Sequence, residues 1–276
     1  MALFNSPRRA RRALAVLFAS VTLVIAMAVP AAAVTNGALD GDAHPYVVLL
    51  VAQDAEGTPL WRCTGTLMSP TIVLTAGHCT EEPAAHIEVW FDADVTDATA
   101  HDYPFTGDVG GTPYTHPQYD PDAFFLFDLG VVELDTPFES PNGVYGVLPT
   151  LNQLDSMKPG RRSLFTSVGY GLQAAFPDAA AWKDQQLRIR MVAHPQLLQV
   201  NTPGFTGDYS LLLSNNAHTG GTCFGDSGGP NFIGNTNVVA GVTSFGINPT
   251  CGGTGGVYRI DRADDLAWLA TFGLGS

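Results

Sequence analysis

Three short stretches of this 276-residue chain carry residues that could do chemistry together. The first is Gly225-Asp226-Ser227-Gly228-Gly229-Pro230. Its glycines allow a tight turn that exposes a hydroxyl and lets another backbone come close. A serine hydroxyl alone is a weak nucleophile: it needs a base to take its proton and donors to meet the oxyanion that forms. The second stretch, Leu74-Thr75-Ala76-Gly77-His78-Cys79, offers His78 as that base at the end of an apolar run. A bridge between Cys79 and Cys63 would anchor the loop that presents the imidazole. The third is Asp128, at the head of the apolar run 129–134. A carboxylate placed there is partly buried, which is costly unless charge and donors meet it. A histidine N–H is such a partner, and the contact would fix the imidazole tautomer. Each stretch alone has an ordinary reading as a Gly-rich turn, a structural histidine or a strand-start aspartate. Together they supply a nucleophile, a base and an orienting acid for acyl transfer.

Short apolar runs must position these residues. They fall at 46–52, 60–67, 71–76, 86–91, 129–134, 163–170, 187–192, 238–245 and 256–260, separated by Gly, Pro, Asn and Asp. In 86–91 the alternation is plain, with Ile87, Val89 and Phe91 on one face and Glu88 on the other. Strand-length runs at this spacing predict an all-β barrel or sandwich. Helical spacing occurs once, where Ala263, Leu266, Ala267, Leu269 and Ala270 repeat before a terminating Gly273. The Pro-, Gly- and Asn-rich segment 136–162 reads as the crossing between two halves, and 112–121 as a surface loop. The stretch 174–184 reads as an insertion or loop without a functional assignment.

Composition narrows the classes. Apolar residues make up 45% of the chain, with 30 glycines and 19 prolines, which fits a turn-rich β protein and argues against disorder. Arg8, Arg9, Arg11 and Arg12 precede an apolar run over 13–29 and the small residues Ala31-Ala32-Ala33, the order of a secretory signal peptide spanning 1–33. Its removal changes the net charge from −13 to −17, because 9 basic residues then face 26 acidic ones. Such a surface repels phosphate backbones and anionic lipid, so nucleic acid and membranes are not expected partners of the secreted protein. Four cysteines allow three pairings by counting. No Cys/His spacing fits zinc, and Asp92, Asp94 and Asp97 read as a solvated loop rather than a calcium site. No metal or other cofactor is expected.

The three motifs together resemble the chymotrypsin–trypsin family of serine proteases. The order His78, Asp128, Ser227 is that family's order. Val34-Thr35-Asn36-Gly37 matches its mature N-terminus, His116-Pro117-Gln118-Tyr119 the segment before its aspartate, Ser244-Phe245-Gly246 its substrate strand and Gly256-Val257-Tyr258 its pocket-closing strand. The resemblance implies two antiparallel six-stranded β-barrels, over 34–145 and 146–276, with a C-terminal α-helix across the second. It implies that Cys63 pairs with Cys79 and Cys223 with Cys251. It assigns the oxyanion hole to the N–H groups of Gly225 and Ser227, and gives Ser244 the task of supporting Asp128. Asp226 would pair with an N-terminal ammonium at Val34, which signal cleavage after Ala33 would itself expose.

The same resemblance puts Gly221 at the base of a substrate pocket, with Thr222 beside it, Gly246 and Gly256 on the walls, and Phe245 on the binding strand. No acid sits at that base, so a buried Lys or Arg would lack a partner there and large apolar or aromatic side chains are preferred. Phe127, Phe245 and Thr64 depart from the family's usual residues. The implied protein is a secreted, monomeric endopeptidase acting on proteins or peptides, with protein inhibitors as a further partner class. The alternative is a catalytically silent homologue acting as a binding module.

Overall fold

The computed structural model describes residues 34–173, 187–248 and 250–275. The leader and the 174–184 stretch lie outside the described residues. None of the described helices is long and apolar enough to cross a membrane.

The fold is all-β, with two six-stranded antiparallel barrels and a C-terminal helix. Strands β2 (Val47–Gln53), β3 (Pro59–Ser69), β4 (Ile72–Thr75), β5 (His86–Trp90), β6 (Val109–Thr115) and β7 (Gly130–Leu134) close the first barrel in the order β2-β3-β4-β7-β6-β5. The second ring comprises β8 (Gly160–Gly169), β10 (Gln196–Thr202), β11 (Gly207–Asn215), β12 (Pro230–Ile233), β13 (Val239–Gly246) and β14 (Gly253–Arg259). It runs β8-β10-β11-β14-β13-β12 and closes through pairing of β12 with β8. Strand β9 (Met191–Ala193) adds to β8, and β1 (Ala38–Leu39) adds to β9. The segment that begins near Val34 is thereby stitched to the second sheet. Closure removes the unpaired edges that would otherwise invite aggregation.

All seven residues of β2 are buried, although a barrel strand ordinarily has one wet face. The interior takes Val48, Leu50 and Ala52, while Leu49 and Val51 pack with Trp90, Val95 and Tyr170. Tyr170 follows β8, so the second barrel covers the outer face of β2. Each such side chain contributes roughly 1.5–3 kcal/mol by leaving water. The largest core cluster is continuous across both barrels, joining Val73 and Leu74 of β4 to Phe232, Val242 and Tyr258 of the second. Arg190 adds a polar tie: its guanidinium lies 3.3 Å from Asp40 and donates to the carbonyls of Val47 and Gly41 at 2.9 and 2.8 Å.

The C-terminal helix, Ala263–Ala270, ends before Gly273 at φ +77°. It reaches further than the second barrel. Trp268 packs edge-on against His116 at 5.0 Å and Phe272 against Tyr114 at 5.3 Å, both in the first half of the chain. Strand β6 occupies part of what the sequence marks as a loop. Its run Val-Gly-Gly-Thr-Pro-Tyr-Thr has poor strand propensity, but β5 and β7 pair with it on both sides and complete the ring.

Candidate active site

His78 sits on a four-residue helix, α1 (Gly77–Thr80), which follows β4 directly. The Cys63–Cys79 disulfide ties this turn to β3, and a second bridge joins Cys223 to Cys251. Asp128 precedes β7 and is fully buried. The residue before it, Phe127, holds φ +52°, uncommon for a bulky side chain, and its ring stacks on His116 at 5.2 Å. That twist turns the carboxylate towards α1. Asp128 Oδ1 accepts the backbone N–H of His78 at 2.9 Å, and both carboxylate oxygens lie 2.9–3.0 Å from His78 Nδ1. Ser244, from β13 of the other barrel, donates its hydroxyl to Oδ2 at 2.5 Å.

This arrangement settles the direction of the imidazole. With Nδ1–H turned to the carboxylate, Nε2 is left with a lone pair facing away from it. Burial disfavours the charged ring, but the charge and hydrogen bond of Asp128, with Glu81 adding to them, outweigh it and raise the His78 pKa above 6.5.

Backbone bonds shape the turn that holds Ser227. Asp226 N–H donates to Cys223 O at 3.0 Å, Gly229 N–H to Asp226 O at 2.8 Å, and Gly228 N–H to Thr243 O at 2.8 Å. Gly228 holds φ +76°, and a Cβ there would lie 1.9 Å from Thr75 Oγ1, so no other residue fits. Gly225 holds φ +93°. His78 and Ser227 line one cavity of about 640 Å³, and the structure shows no hydrogen bond between their side chains. Catalytic contacts of this kind are often long until substrate binds.

Of the expected pocket residues, Thr222, Ser244, Phe245 and Gly246 line this cavity. Gly221 lies behind it. Asn215, buried beneath, donates to Thr222 O at 2.7 Å and accepts the Thr35 hydroxyl at 2.6 Å, while Thr35 also bonds Gly221 in both directions. Gly256 packs against Phe245 of the cavity wall: a Cβ there would meet its ring at 2.3 Å. Its neighbour Gly255 is the glycine that faces Thr222, 3.1 Å from Oγ1.

Asp226 is buried, and its carboxylate accepts Gly171 N–H at 2.7 Å and Cys223 N–H at 2.8 Å. Burial pushes its pKa up to about 7 in spite of these donors and the more distant Arg62. Among the described residues no cation lies within ion-pair distance of it. Val34 is also buried, packed with Met191, Ala193 and Ile189, and no contact joins it to Asp226.

Two residues of the site escaped sequence reasoning. Glu81 and Tyr119 line the cavity beside His78, where the phenol and the carboxylate influence each other's protonation. Burial, with the charges of Asp128 and Glu81 behind it, raises the Tyr119 pKa, so the phenol keeps its proton. The signal was present for Glu81, which stands three residues after His78. Cys63, His78 and Cys79 bring ligand-type atoms within 4.8 Å of one another, but the two sulfurs are spent in a disulfide. Asp94 and Asp97 turn their carboxylates to Thr96, Thr99 and Ala100 of their own loops.

The Trypsin family profile matches residues 38–266. Trypsin from Saccharopolyspora erythraea is 29% identical over 224 residues, covering 78% of this chain and 87% of that protein. Brachyurin from Leptuca pugilator is 30% identical over 199 residues, covering 70% and 79%. Among solved structures, HL collagenase superposes with a TM-score of 0.66 at 20% identity, over 87% of this chain and 98% of the other. Human heparin binding protein does so at 0.62 and 19%, over 86% and 95%. With the profile spanning both barrels and all three motifs, the chain belongs to the trypsin family of serine proteases.

Proposed function

We propose that this protein is a secreted endopeptidase that hydrolyses peptide bonds through Ser227, His78 and Asp128. The observation that carries the reading is the buried Asp128 carboxylate holding His78 Nδ1, with His78 and Ser227 on the wall of one cavity. In the proposed reaction His78 Nε2 takes the Ser227 proton as Oγ attacks the substrate carbonyl. The N–H groups of Gly225 and Ser227 receive the oxyanion; loss of one such donor typically costs about 3 kcal/mol of transition-state stabilisation. His78 then gives its proton to the leaving amine, and water releases the acyl group by the same steps in reverse order.

Large apolar or aromatic side chains are the proposed substrates. Phe124, Phe224, Phe245 and Ile247 supply apolar walls, and the residues behind the base, Asn215 and Thr35, are neutral. The charged groups on the cavity wall, His78 and Glu81, belong to the catalytic end. Residues 1–33 are proposed as the export signal. Its removal would free a Val34 ammonium for the uncompensated carboxylate of Asp226, and 34–145 and 146–276 are proposed as the two barrel domains.

A peptide panel varying the residue before the cut tests the reading, with wild type beside Ser227→Ala. Cleavage after Phe, Tyr or Leu by wild type alone is expected. Fastest cleavage after Lys or Arg would refute the pocket argument. A folded, correctly processed and inert wild type would instead favour a silent, binding homologue.

A further inference from the structure

Thr64 stands beside Cys63 on β3, in the first barrel, and is wholly buried. Each of its polar atoms is engaged. Its N–H donates to Ser227 O at 2.8 Å, and its carbonyl accepts the Thr75 hydroxyl at 2.9 Å. Its hydroxyl accepts the N–H of Tyr170 at 3.2 Å and donates to Gly225 O at 2.8 Å. The direction of that pair is fixed: a backbone N–H can only donate, so the hydroxyl spends its single proton on the Gly225 carbonyl. The two residues whose carbonyls Thr64 holds, Gly225 and Ser227, are the two whose N–H groups form the oxyanion site in the function proposed above.

We propose that Thr64 is a positioning residue for this turn, setting the aim of the oxyanion donors from the opposite barrel. The inference rests on the proposed function. Gly225 has no side chain and holds φ +93°; the Leu172 N–H on Phe224 O at 2.9 Å holds the peptide before it, and the Asp226 N–H on Cys223 O at 3.0 Å closes the turn, so the Thr64 hydroxyl is the side-chain restraint on the peptide after it. A pinned carbonyl on one side and the Asp226 carboxylate on Cys223 N–H on the other span the peptide units around it. Pinning matters because donors stabilise the developing charge only when already aimed at it. Without the hydroxyl, Gly225 O and Tyr170 N–H both lose their partner, and the freed glycine can rotate away to recover one.

Thr64→Val keeps the β-branched shape that suits a strand and removes the hydroxyl. With a peptide substrate its kcat should fall about 10–50-fold, a fraction of the 10²–10³ typical of losing an oxyanion donor, with KM within about threefold. Affinity for a peptide aldehyde, whose adduct with Ser227 carries the oxyanion, should fall in parallel with kcat/KM. Thr64→Ser, which keeps the hydroxyl, should restore most of both. Thr64→Ala serves as a second hydroxyl-free variant if the valine chain does not fold. A residue with only a structural role would lower Tm and leave kcat per reactive serine unchanged. Wild-type kcat and aldehyde affinity in folded Thr64→Val or Thr64→Ala, in an otherwise active enzyme, overturn the inference. An inert wild type overturns the proposed function instead, so the two failures are distinct.

Discussion

Extending the chain by a few residues before Val34, in a Ser227→Ala background to prevent self-digestion, should make stability fall as pH rises from about 4 to about 7. Asp226 is the cause. Its carboxyl is buried with two N–H donors and no cation, and its pKa stands near 7 against 3.8 for a free aspartate. A carboxyl with a higher pKa folded than unfolded takes up a proton on folding. Its burial is therefore tolerated below pH 4, and the penalty grows until the folded group ionises. About three pKa units correspond to roughly 4 kcal/mol across that window. In the proposed pairing, a chain that starts at Val34 brings its ammonium to Asp226 and reverses the sign, so its stability should hold or rise over the same range. The assay is urea unfolding at pH 4, 5, 6, 7 and 8 for both chains, each with and without Asp226→Asn. The slope is the readout, because asparagine also loses one of the two accepted N–H bonds. Asp265 titrates over an overlapping range but is present in every chain and cancels in the comparison. A slope in the extended chain that Asp226→Asn leaves unaltered would refute the reasoning.

Glu81→Gln should move the acid limb of kcat/KM to lower pH, because Glu81 helps hold the His78 pKa up and the base works only when neutral. A limb that stays put or moves upward would mean the carboxylate does not act on the imidazole. Ser244→Ala removes one donor from the buried Asp128 carboxylate and should cost about 1.5–3 kcal/mol in urea unfolding, with a fall in kcat. Asp265, buried with one oxygen lacking a partner, has its pKa pushed up to about 8 despite the Tyr258 hydroxyl. It is therefore largely protonated at pH 6, where Asp265→Asn should be near neutral in thermal unfolding, and the variant should become the more stable chain at pH 9.

Local signals carried the chemistry further than the architecture. Strands β2, β4, β7 and β13 were legible because their apolar runs are long and bounded by turn residues, and the motifs around His78 and Asp128 sit at the ends of β4 and β7. Strands β6, β10, β11 and β12 were not. Pairing on both sides makes β6 a strand despite Gly110, Gly111 and Pro113, and register shifts in β10 break its alternation after Leu197. Asn215, beneath the pocket, ends one of the illegible strands, so the polar floor it builds with Thr35 was invisible. Thr64 showed in the sequence only as a departure from the usual residue. Its hydrogen bond spans 161 positions to Gly225, and no periodicity encodes that.

The two barrels exchange parts. Ser244 of the second completes the carboxylate pocket of the first, and Thr64 of the first clamps the serine turn of the second. A chain with the second barrel open lacks the Ser244 donor on Asp128, and one with the first barrel open lacks the Thr64 bonds to the serine turn. In the proposed function the full site therefore forms only when both barrels are docked. Opening the seam between two barrels that are each still closed is therefore expected to lower activity before either barrel melts.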